Sequence, residues 1–411
     1  MADVDANETI AVTGMGVITS LGADPDTLFR ALGRGQRGIS KIRAFDTTGC
    51  RVDIAAEAPL PAASSKPSLA SHGAYTRTAA LALHAASAAL QQAALPAAAR
   101  AGAALVLGSA GAGTPALEAY LERATRGGSH RGRAAMMLGF PKRFLPDVVG
   151  LALGLGGPRA TVNTACSSGA VSVIHAIELL RARHCDAALA GGADELTRFT
   201  LTGFCSLRAV DPEPCRPFDR RRRGMTLGEG AGVLVLERLS DVRRRGGRVL
   251  AVVAGYGHSC DAGHLTAPDP RGDGASRAMS AALKMAGVEP IDVAFVSAHG
   301  TGTPHNDSSE VRAICAALGD HARRCPVHTV KASVGHCMGA AGAVEAIAAI
   351  SSLSEGLVPP TAGLTDPEFA EDIDLVQDEA RRISGRYGLS NSFGFGGNNA
   401  ALLLALPEGM A

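Results

Sequence analysis

The chain has 411 residues, with 40 Lys and Arg against 39 Asp and Glu, which gives a formal net charge of +1. A balanced charge of this kind provides no overall field that would attract nucleic acid or an anionic membrane, so neither partner is expected. The length exceeds that of one simple core and predicts two domains or one duplicated domain.

The cysteines and the apolar runs indicate where the protein resides. Nine cysteines without paired spacing do not resemble a disulfide framework and favour a reducing compartment. Residues 1–8 are acidic where an export signal would be basic. The most apolar later run, residues 335–350, contains His336 and Glu345 and is too short to span a bilayer. We therefore expect a cytoplasmic protein.

Apolar segments alternate with helix-forming segments along the whole chain. In the first half we predict a surface loop at residues 59–67, a helix at 75–94, and strands at 10–17, 103–109, 160–163, 187–192 and 231–239. Strands that alternate with helices are typical of parallel βαβ units with both sheet faces covered, which places the chain in the α/β class.

The second half repeats this pattern. We predict helices at residues 274–287 and 338–353, and strands at 249–255, 293–296, 327–331 and 401–406. Residues 330–350 resemble in kind the segment around Cys166, because each runs from a strand through a sharp turn into a helix of small residues. An internal duplication is therefore expected, with domains at residues 1–248 and 249–411.

Residues 163–170, NTACSSGA, join a strand-like run to a helix rich in small residues. Cys166 lies at the junction, where unpaired backbone N–H groups and the positive end of the helix dipole favour a thiolate. The small residues that follow leave room for a ligand or another backbone. The segment therefore predicts a nucleophilic cysteine, although an isolated cysteine also fits a buried structural role.

Two histidines follow predicted strands in glycine-rich loops. His299 lies in SAHGTGTP and His336 in KASVGHCMGA. Sites of α/β proteins assemble at strand ends, so both are candidates for chemistry with Cys166; a single histidine in either place would more often be structural. A third glycine turn, residues 391–399 (NSFGFGGNN), either directs backbone N–H groups at a developing oxyanion or is only a tight loop.

The segments TACSSG, HGTGTP, KASVGH and NSFGFGGNN, in this order over nearly the whole chain, resemble the β-ketoacyl-acyl carrier protein synthases of the elongating, Cys-His-His kind. The resemblance implies a thiolase-like fold of two duplicated αβαβα halves. It also implies an acyl carrier protein as partner, and a dimer that is either a homodimer or a heterodimer with a chain-length-factor homologue.

The resemblance implies roles for the central residues. Cys166 would hold the growing chain as a covalent acyl-enzyme. Neutral His299 and His336 would donate hydrogen bonds to the enolate that forms when a malonyl thioester loses carbon dioxide. The backbone N–H groups of Cys166 and Phe395 would form the oxyanion hole, and the Phe395 side chain would gate the acyl channel.

The same resemblance implies supporting roles for further residues. Lys331, aided by Glu310, would hold the histidines in place, and Thr301 and Thr303 would bind the phosphopantetheine arm. That arm arrives on the carrier. No bound metal or redox cofactor is expected, because the glycine loops and the cysteines lack the spacing of phosphate and metal sites.

Substrate and partner selection are predicted at further positions. Phe393 is placed with the substrate-binding residues. Gly111 lies in a loop where some relatives carry a bulky residue that closes the acyl pocket, so a deep pocket is expected here. Arg216 matches a family arginine near the tunnel mouth and would dock the acidic carrier. Residues 220–223 extend this charge or form only a solvated arginine run.

Several activities stay open at this point. A type II polyketide ketosynthase that builds a polyene, such as an aryl polyene, is favoured over housekeeping fatty-acid elongation by residues 207–219, the variant at 306–307 and the small residues near the pocket. A chain-length factor would lack Cys166, a degradative thiolase would need a second C-terminal cysteine, and a starter-unit synthase would have asparagine at His336. A Cys-His hydrolase would leave Lys331 and His336 without roles.

Overall fold

The computed structural model of the protein describes residues 9–60, 76–125, 141 and 143–407, so the predicted loop at 59–67 lies largely outside the described residues. The strands are, in chain order, β1 (Ile10–Ile18), β2 (Ser40–Lys41), β3 (Ile54–Ala55), β4 (Ala104–Gly108), β5 (Arg159–Val162), β6 (Ala187–Asp194), β7 (Gly230–Arg238), β8 (Ala251–Cys260), β9 (Val293–Ser297), β10 (Pro326–His328), β11 (Leu357–Val358), β12 (Asp374–Leu375), β13 (Arg381–Arg382), β14 (Tyr387–Gly394) and β15 (Asn398–Ala405). The helices are α1 (Pro25–Gly33), α2 (Arg77–Ala93), α3 (Ala97–Ala101), α4 (Thr114–Thr125), α5 (Phe144–Leu153), α6 (Ser168–Arg181), α7 (Arg198–Ser206), α8 (Leu239–Arg244), α9 (Asp273–Ala286), α10 (Pro304–Leu318), α11 (Lys331–Val334) and α12 (Ala341–Glu355).

Eleven of these strands form one sheet in the order β12-β10-β9-β14-β15-β8-β1-β7-β6-β4-β5. In the first half, β1 is antiparallel to β7 and β7 to β6, whereas β6 is parallel to β4 and β4 to β5. In the second half, β8, β15, β14, β9 and β10 repeat the same series of pairings. The predicted α/β class and the internal duplication are thus confirmed.

The two halves are continuous, because β1 also pairs antiparallel with β8. Residues 248 and 249 fall between α8 and β8. Since the sheet runs through both halves, the division into domains at this point stays a prediction.

Alternate residues of each strand face different helices, as a pleated strand requires. In β4, Leu105 and Leu107 belong to the buried cluster that includes α2 and α5, whereas Ala104 and Val106 belong to the cluster that includes α6 and α12. In the second half, α9 and α10 cover the face of the sheet that is opposite to the face covered by α6 and α12. The central helix α12 contacts strands of both halves, and buried residues occur on all its sides. A helix enclosed in this way must be apolar all round, which explains the composition of residues 335–350.

Two predicted boundaries near the site are wrong. The strand predicted at residues 327–331 ends at His328, and Lys331 instead begins α11. Thr329 turns the chain, because its Oγ1 accepts the N–H of Lys331 at 3.3 Å. The helix predicted at 338–353 starts with a separate 3₁₀ turn, Met338–Ala340, before α12.

Candidate active site

The nucleophile turn, Ala165–Ser167, is a 3₁₀ turn between β5 and α6. Ala165 has a φ of 53°, a left-handed conformation that residues other than glycine rarely adopt and that clusters at functional sites. Ser168 fixes the turn: its Oγ accepts the N–H of Thr164 at 2.9 Å and donates to the carbonyl of Ala165 at 2.5 Å. The local sequence therefore holds Cys166 in one position.

Cys166, the second residue of this turn, is 5% exposed and lines a cavity. Burial raises the pKa of its thiol to about 11, while Lys331 and the backbone N–H of Phe395 act in the opposite direction. The expectation that the helix N-terminus makes Cys166 a thiolate is therefore wrong, because the effect of burial on the thiol pKa dominates. The thiol must lose its proton as it attacks.

The glycine turn that carries Phe395 packs directly against Cys166. Gly394 permits this approach, because a β-carbon there would lie 2.6 Å from the carbonyl oxygen of Thr164 and 3.1 Å from the backbone nitrogen of Cys166. The N–H of Phe395 is directed at the Cys166 sulfur. The backbone N–H groups of Cys166 and Phe395 thus lie beside the thiol, as an oxyanion hole requires.

His336 lies between α11 and the turn Met338–Ala340, and it is 1% exposed. The N–H of Met338 donates to its Nδ1 at 3.2 Å, so we infer that the neutral ring carries its proton on Nε2. Nε2 is buried and has no hydrogen-bond partner among the described residues. This nitrogen is therefore a donor that a ligand in the cavity can use.

His299 follows β9 and is held by Lys331. The Lys331 Nζ lies 3.1 Å from His299 Nδ1 and 2.6 Å from the His299 carbonyl oxygen. Since an ammonium group only donates, Nδ1 accepts, and this neutral ring also carries its proton on Nε2. The rings of His299 and His336 stand edge to face with centroids 5.4 Å apart.

The histidines share one electrostatic environment. Burial, and then the positive charge of Lys331, lowers the pKa of both His299 and His336 well below the usual value of 6.5. Both rings are therefore neutral at neutral pH and donate hydrogen bonds without changing charge.

Two buried glutamates hold the groups that position His299: Glu345 contacts Lys331, and Glu310 contacts the backbone of His299. Glu345, in α12, forms an ion pair with Lys331; burial raises the pKa of this carboxyl and Lys331 opposes the shift. Glu310 accepts the backbone N–H groups of His299 and Gly300, each at 2.7 Å, and burial raises its pKa to about 7. The ion partner of Lys331 is thus Glu345, which the sequence analysis did not identify. The only sequence feature that pointed to Glu345 was its position as an acidic residue within an apolar helix.

A cavity of about 460 Å³ brings most of the predicted site residues together. Those that line it are Cys166, His299, Thr301, Thr303, His336, Phe393 and Phe395. The two threonine Oγ1 atoms lie 2.9 Å apart, and the Phe395 ring packs against Phe204 with centroids 5.6 Å apart. A more open cleft of about 540 Å³ beside β12 and β13 has no cysteine in its lining.

Four predicted site residues do not line this cavity: Lys331 and Glu310, which contact His299 as described above, and Gly111 and Arg216. The N–H of Gly111 donates to Asp194 at 2.8 Å. Arg216 forms an ion pair with Glu213, and its side chain is 18% exposed. The roles of Gly111 in pocket depth and of Arg216 in carrier docking stay predictions.

Asp194 is a second residue that the sequence analysis did not identify. Its carboxylate is fully buried and accepts hydrogen bonds from Ser109, Ala110, Gly111 and Gly339, which belong to both halves of the chain. Its position at the end of a buried strand gave no separate signal.

The described ranges contain no group of three or more His, Cys, Asp or Glu side chains placed to hold a metal ion. None of the helices described is long and apolar enough to cross a membrane.

Comparison with known proteins identifies the family. Residues 7–242 match the family model described as β-ketoacyl synthase, N-terminal domain, and residues 250–365 match the corresponding C-terminal domain. The chain belongs to the β-ketoacyl synthase family. It is 35% identical over 411 aligned residues to 3-oxoacyl-[acyl-carrier-protein] synthase 2 of Staphylococcus aureus strain COL, with 97% of this chain and 98% of that protein covered.

Two solved structures extend the comparison to the fold of this ketosynthase. The ishigamide ketosynthase/chain length factor is 34% identical, with a TM-score of 0.89 and with 98% of this chain and 100% of that chain covered. The AntDE:AntF complex, a type II PKS acyl-carrier protein with its ketosynthase bound to the hexaketide, is 26% identical, with a TM-score of 0.88 and the same coverage. The predicted thiolase-like fold and the acyltransferase class are thus confirmed.

Proposed function

We propose that this ketosynthase condenses an acyl chain held on Cys166 with a malonyl unit delivered by an acyl carrier protein. One observation carries the proposal: a single cavity is lined by the Cys166 thiol, at which the N–H of Phe395 is directed, and by two neutral histidines. Each of these groups matches one requirement of decarboxylative condensation.

The first step is acyl transfer to Cys166. The sulfur attacks the thioester carbonyl of the carrier-bound chain, and the N–H groups of Cys166 and Phe395 stabilise the oxyanion. The bond to the carrier's sulfur then breaks and the Cys166 acyl thioester forms. The proton of the Cys166 thiol ends on the departing carrier thiol.

The second step forms the carbon–carbon bond. When the malonyl thioester loses carbon dioxide, its thioester oxygen becomes an enolate oxygen, which the Nε2–H groups of His299 and His336 stabilise as hydrogen-bond donors. The enolate carbon attacks the acyl group on Cys166, the β-ketoacyl carrier forms, and Cys166 leaves as a thiolate that takes up one proton. Lys331 and Glu345 keep the His299 ring in the donating tautomer.

No bound metal or redox cofactor has a role in these steps. The phosphopantetheine arm arrives with the carrier, and Thr301 and Thr303 offer it hydroxyl groups along the cavity wall. We assign them to its amide groups, because each hydroxyl both donates and accepts.

For the pathway, we propose type II polyketide synthesis, in which a chain-length-factor homologue forms a heterodimer with this subunit and the product is a polyene. The full-length likeness to a ketosynthase/chain length factor supports this assignment. Fatty-acid elongation by a homodimer is the second candidate, which the similarity to a 3-oxoacyl carrier synthase supports.

The test is mass spectrometry of the carrier after incubation of the purified enzyme with acyl-carrier and malonyl-carrier, with and without a co-purified homologous subunit. We expect β-ketoacyl chains extended several times only when the second subunit is present. Single extensions by the enzyme alone, unchanged by the second subunit, would favour fatty-acid elongation. Absence of any β-ketoacyl carrier under both conditions would contradict the condensation itself.

A further inference from the structure

The four consecutive arginines, residues 220–223, separate into different environments. Arg221 lies beside Asp219 and Thr365 at the surface, and its side chain is 57% exposed. Arg222 is buried, where it pairs with Glu368 and lies 3.7 Å from Asp307. Of the four, Arg223 alone lines the catalytic cavity.

Arg223 lies next to the loop that carries the two threonines of the cavity. The following residue, Gly224, donates its N–H to the carbonyl of Gly302 at 3.0 Å. Because Gly302 separates Thr301 from Thr303, this bond fixes Arg223 alongside the path that the carrier's arm would take.

A second arginine stands close by in the fold. The segments on either side of Val210 and Met225 run parallel and are joined by a β-bridge between these two residues. Arg208 and Arg223 each lie two residues before the bridge, and both line the cavity.

The position of Arg223 is held by carboxylates outside the reacting centre. Its Nη2 lies 3.1 Å from Asp211 Oδ1, which is fully buried, and 3.1 Å from Glu213 Oε1. A guanidinium has five N–H donors, so a tether of this kind still leaves it able to donate to a further anion. The side chain is 54% exposed, which gives an incoming ligand access.

We propose that Arg223 binds the phosphate of the phosphopantetheine arm. The proposal rests on the proposed function, since it assumes that a carrier-borne arm enters this cavity. A phosphate is the one anionic group along such an arm, and arginine is well suited to phosphate oxygens because its planar N–H groups match their geometry. Arg223 is a substrate-binding residue in this account and takes no part in bond making.

The test compares two acyl thioesters that differ only in the phosphate: acyl-phosphopantetheine and acyl-pantetheine. The rate of Cys166 acylation, followed by intact-protein mass spectrometry, gives the half-saturating concentration of each for the wild type, Arg223→Gln, Arg223→Lys and Arg221→Gln. Arg221 is the matched control, because it is equally exposed and also pairs with a buried aspartate but lies outside the cavity.

We expect Arg223→Gln to raise the half-saturating concentration of acyl-phosphopantetheine about three- to tenfold and to leave that of acyl-pantetheine unchanged, as the loss of one solvent-screened hydrogen bond of about 1 kcal/mol predicts. Arg223→Lys should recover part of the difference, and Arg221→Gln should match the wild type. An equal rise for both thioesters, or no rise for either, would overturn the proposal. If the wild-type enzyme is acylated by neither thioester, the proposed function itself fails.

Discussion

The two halves of the chain contain the same turn and use it differently. In the first half, Ala165–Ser167 precedes α6; in the second, Met338–Ala340 precedes α12. The first residue of each turn has a left-handed φ, 53° at Ala165 and 47° at Met338. The second residue is Cys166 in one turn and Gly339 in the other.

The second residue of each turn decides its role. Cys166 lines the cavity with its thiol. Gly339 instead donates its N–H to the buried Asp194 at 2.7 Å, and a β-carbon there would lie 2.6 Å from the backbone nitrogen of Ala110. One copy of the turn thus places a thiol in the cavity wall, while the other joins the halves and, through the N–H of Met338, sets the tautomer of His336.

The largest expected effect comes from the histidine that the second turn orients. His336→Ala removes the Nε2–H donor, and we expect condensation to fall about 100- to 1,000-fold, as for other lost oxyanion donors. Acylation of Cys166 should continue, because it uses the backbone N–H groups. His336→Asn keeps an N–H donor and should retain more activity. A loss of acylation equal to the loss of condensation would contradict this division of roles.

A substitution at Gly339 should disrupt the turn Met338–Ala340, which joins the two halves through Asp194. Gly339→Ala places a methyl group against the backbone of Ala110, which cannot move aside, and we expect a loss of about 3 kcal/mol in the free energy of unfolding. Urea denaturation measures this. Gly203→Ala is the control, since a β-carbon at Gly203 would meet nothing within 4 Å. Equal stabilities of the two variants would show that the turn does not join the halves.

The ion pair behind His299 should have a smaller effect. Glu345→Gln leaves the buried Lys331 without its charged partner, and we expect a loss of about 2 kcal/mol in stability together with slower condensation. Thermal unfolding and the condensation rate provide the two readouts. Ser392→Ala removes only a 3.4 Å contact to Glu345 and should be close to the wild type. If Glu345→Gln leaves both the stability and the condensation rate unchanged, Glu345 does not act as the stabilising partner of Lys331.

The smallest expected effect concerns Glu195, which follows Asp194. Burial raises the pKa of its carboxyl to about 7 from 4.5, although Thr78 donates hydrogen bonds to it. The folded state therefore binds more protons than the unfolded state between these values. The stability that Glu195 contributes is complete below pH 4.5 and is lost as the pH rises through 7, at about 1.4 kcal/mol per pH unit at most.

Urea denaturation from pH 5 to 7.5 tests this assignment. Relative to Glu195→Gln, which keeps the acceptor for Thr78 but does not titrate, the wild type should lose stability as the pH rises. The exposed Glu289→Gln serves as the control and should follow the wild type. If the wild type and Glu195→Gln show the same slope, the carboxyl does not titrate in this range.

The parts of the site that the sequence predicts are those encoded within one short segment. The turn around Cys166, the loop of His299 and the glycine turn at Phe395 each follow a strand, whereas His336 follows α11; the strand ends bring the first three together. The alternation of strands and helices likewise predicts the duplicated fold, because each half forms the same series of pairings.

The parts that sequence reasoning missed depend on contacts between distant segments. Glu345 looked like an isolated acid until α12 placed it against Lys331, and Asp194 gained its role from loops of both halves. The thiolate expectation for Cys166 considered the helix terminus but not the burial that the surrounding elements impose. The sequence alone does not distinguish Arg223 from Arg221, because only the folded chain places Arg223 in the lining of the cavity and Arg221 outside it.

The most direct test is intact-protein mass spectrometry after incubation with an acyl-carrier thioester, with wild type compared with Cys166→Ala. We expect the wild type to gain the mass of one acyl group per chain and the variant to gain none, since the second copy of the turn has glycine at the matching position. Acylation that persists in Cys166→Ala, or a wild type that stays unmodified, would contradict the assignment of the nucleophile.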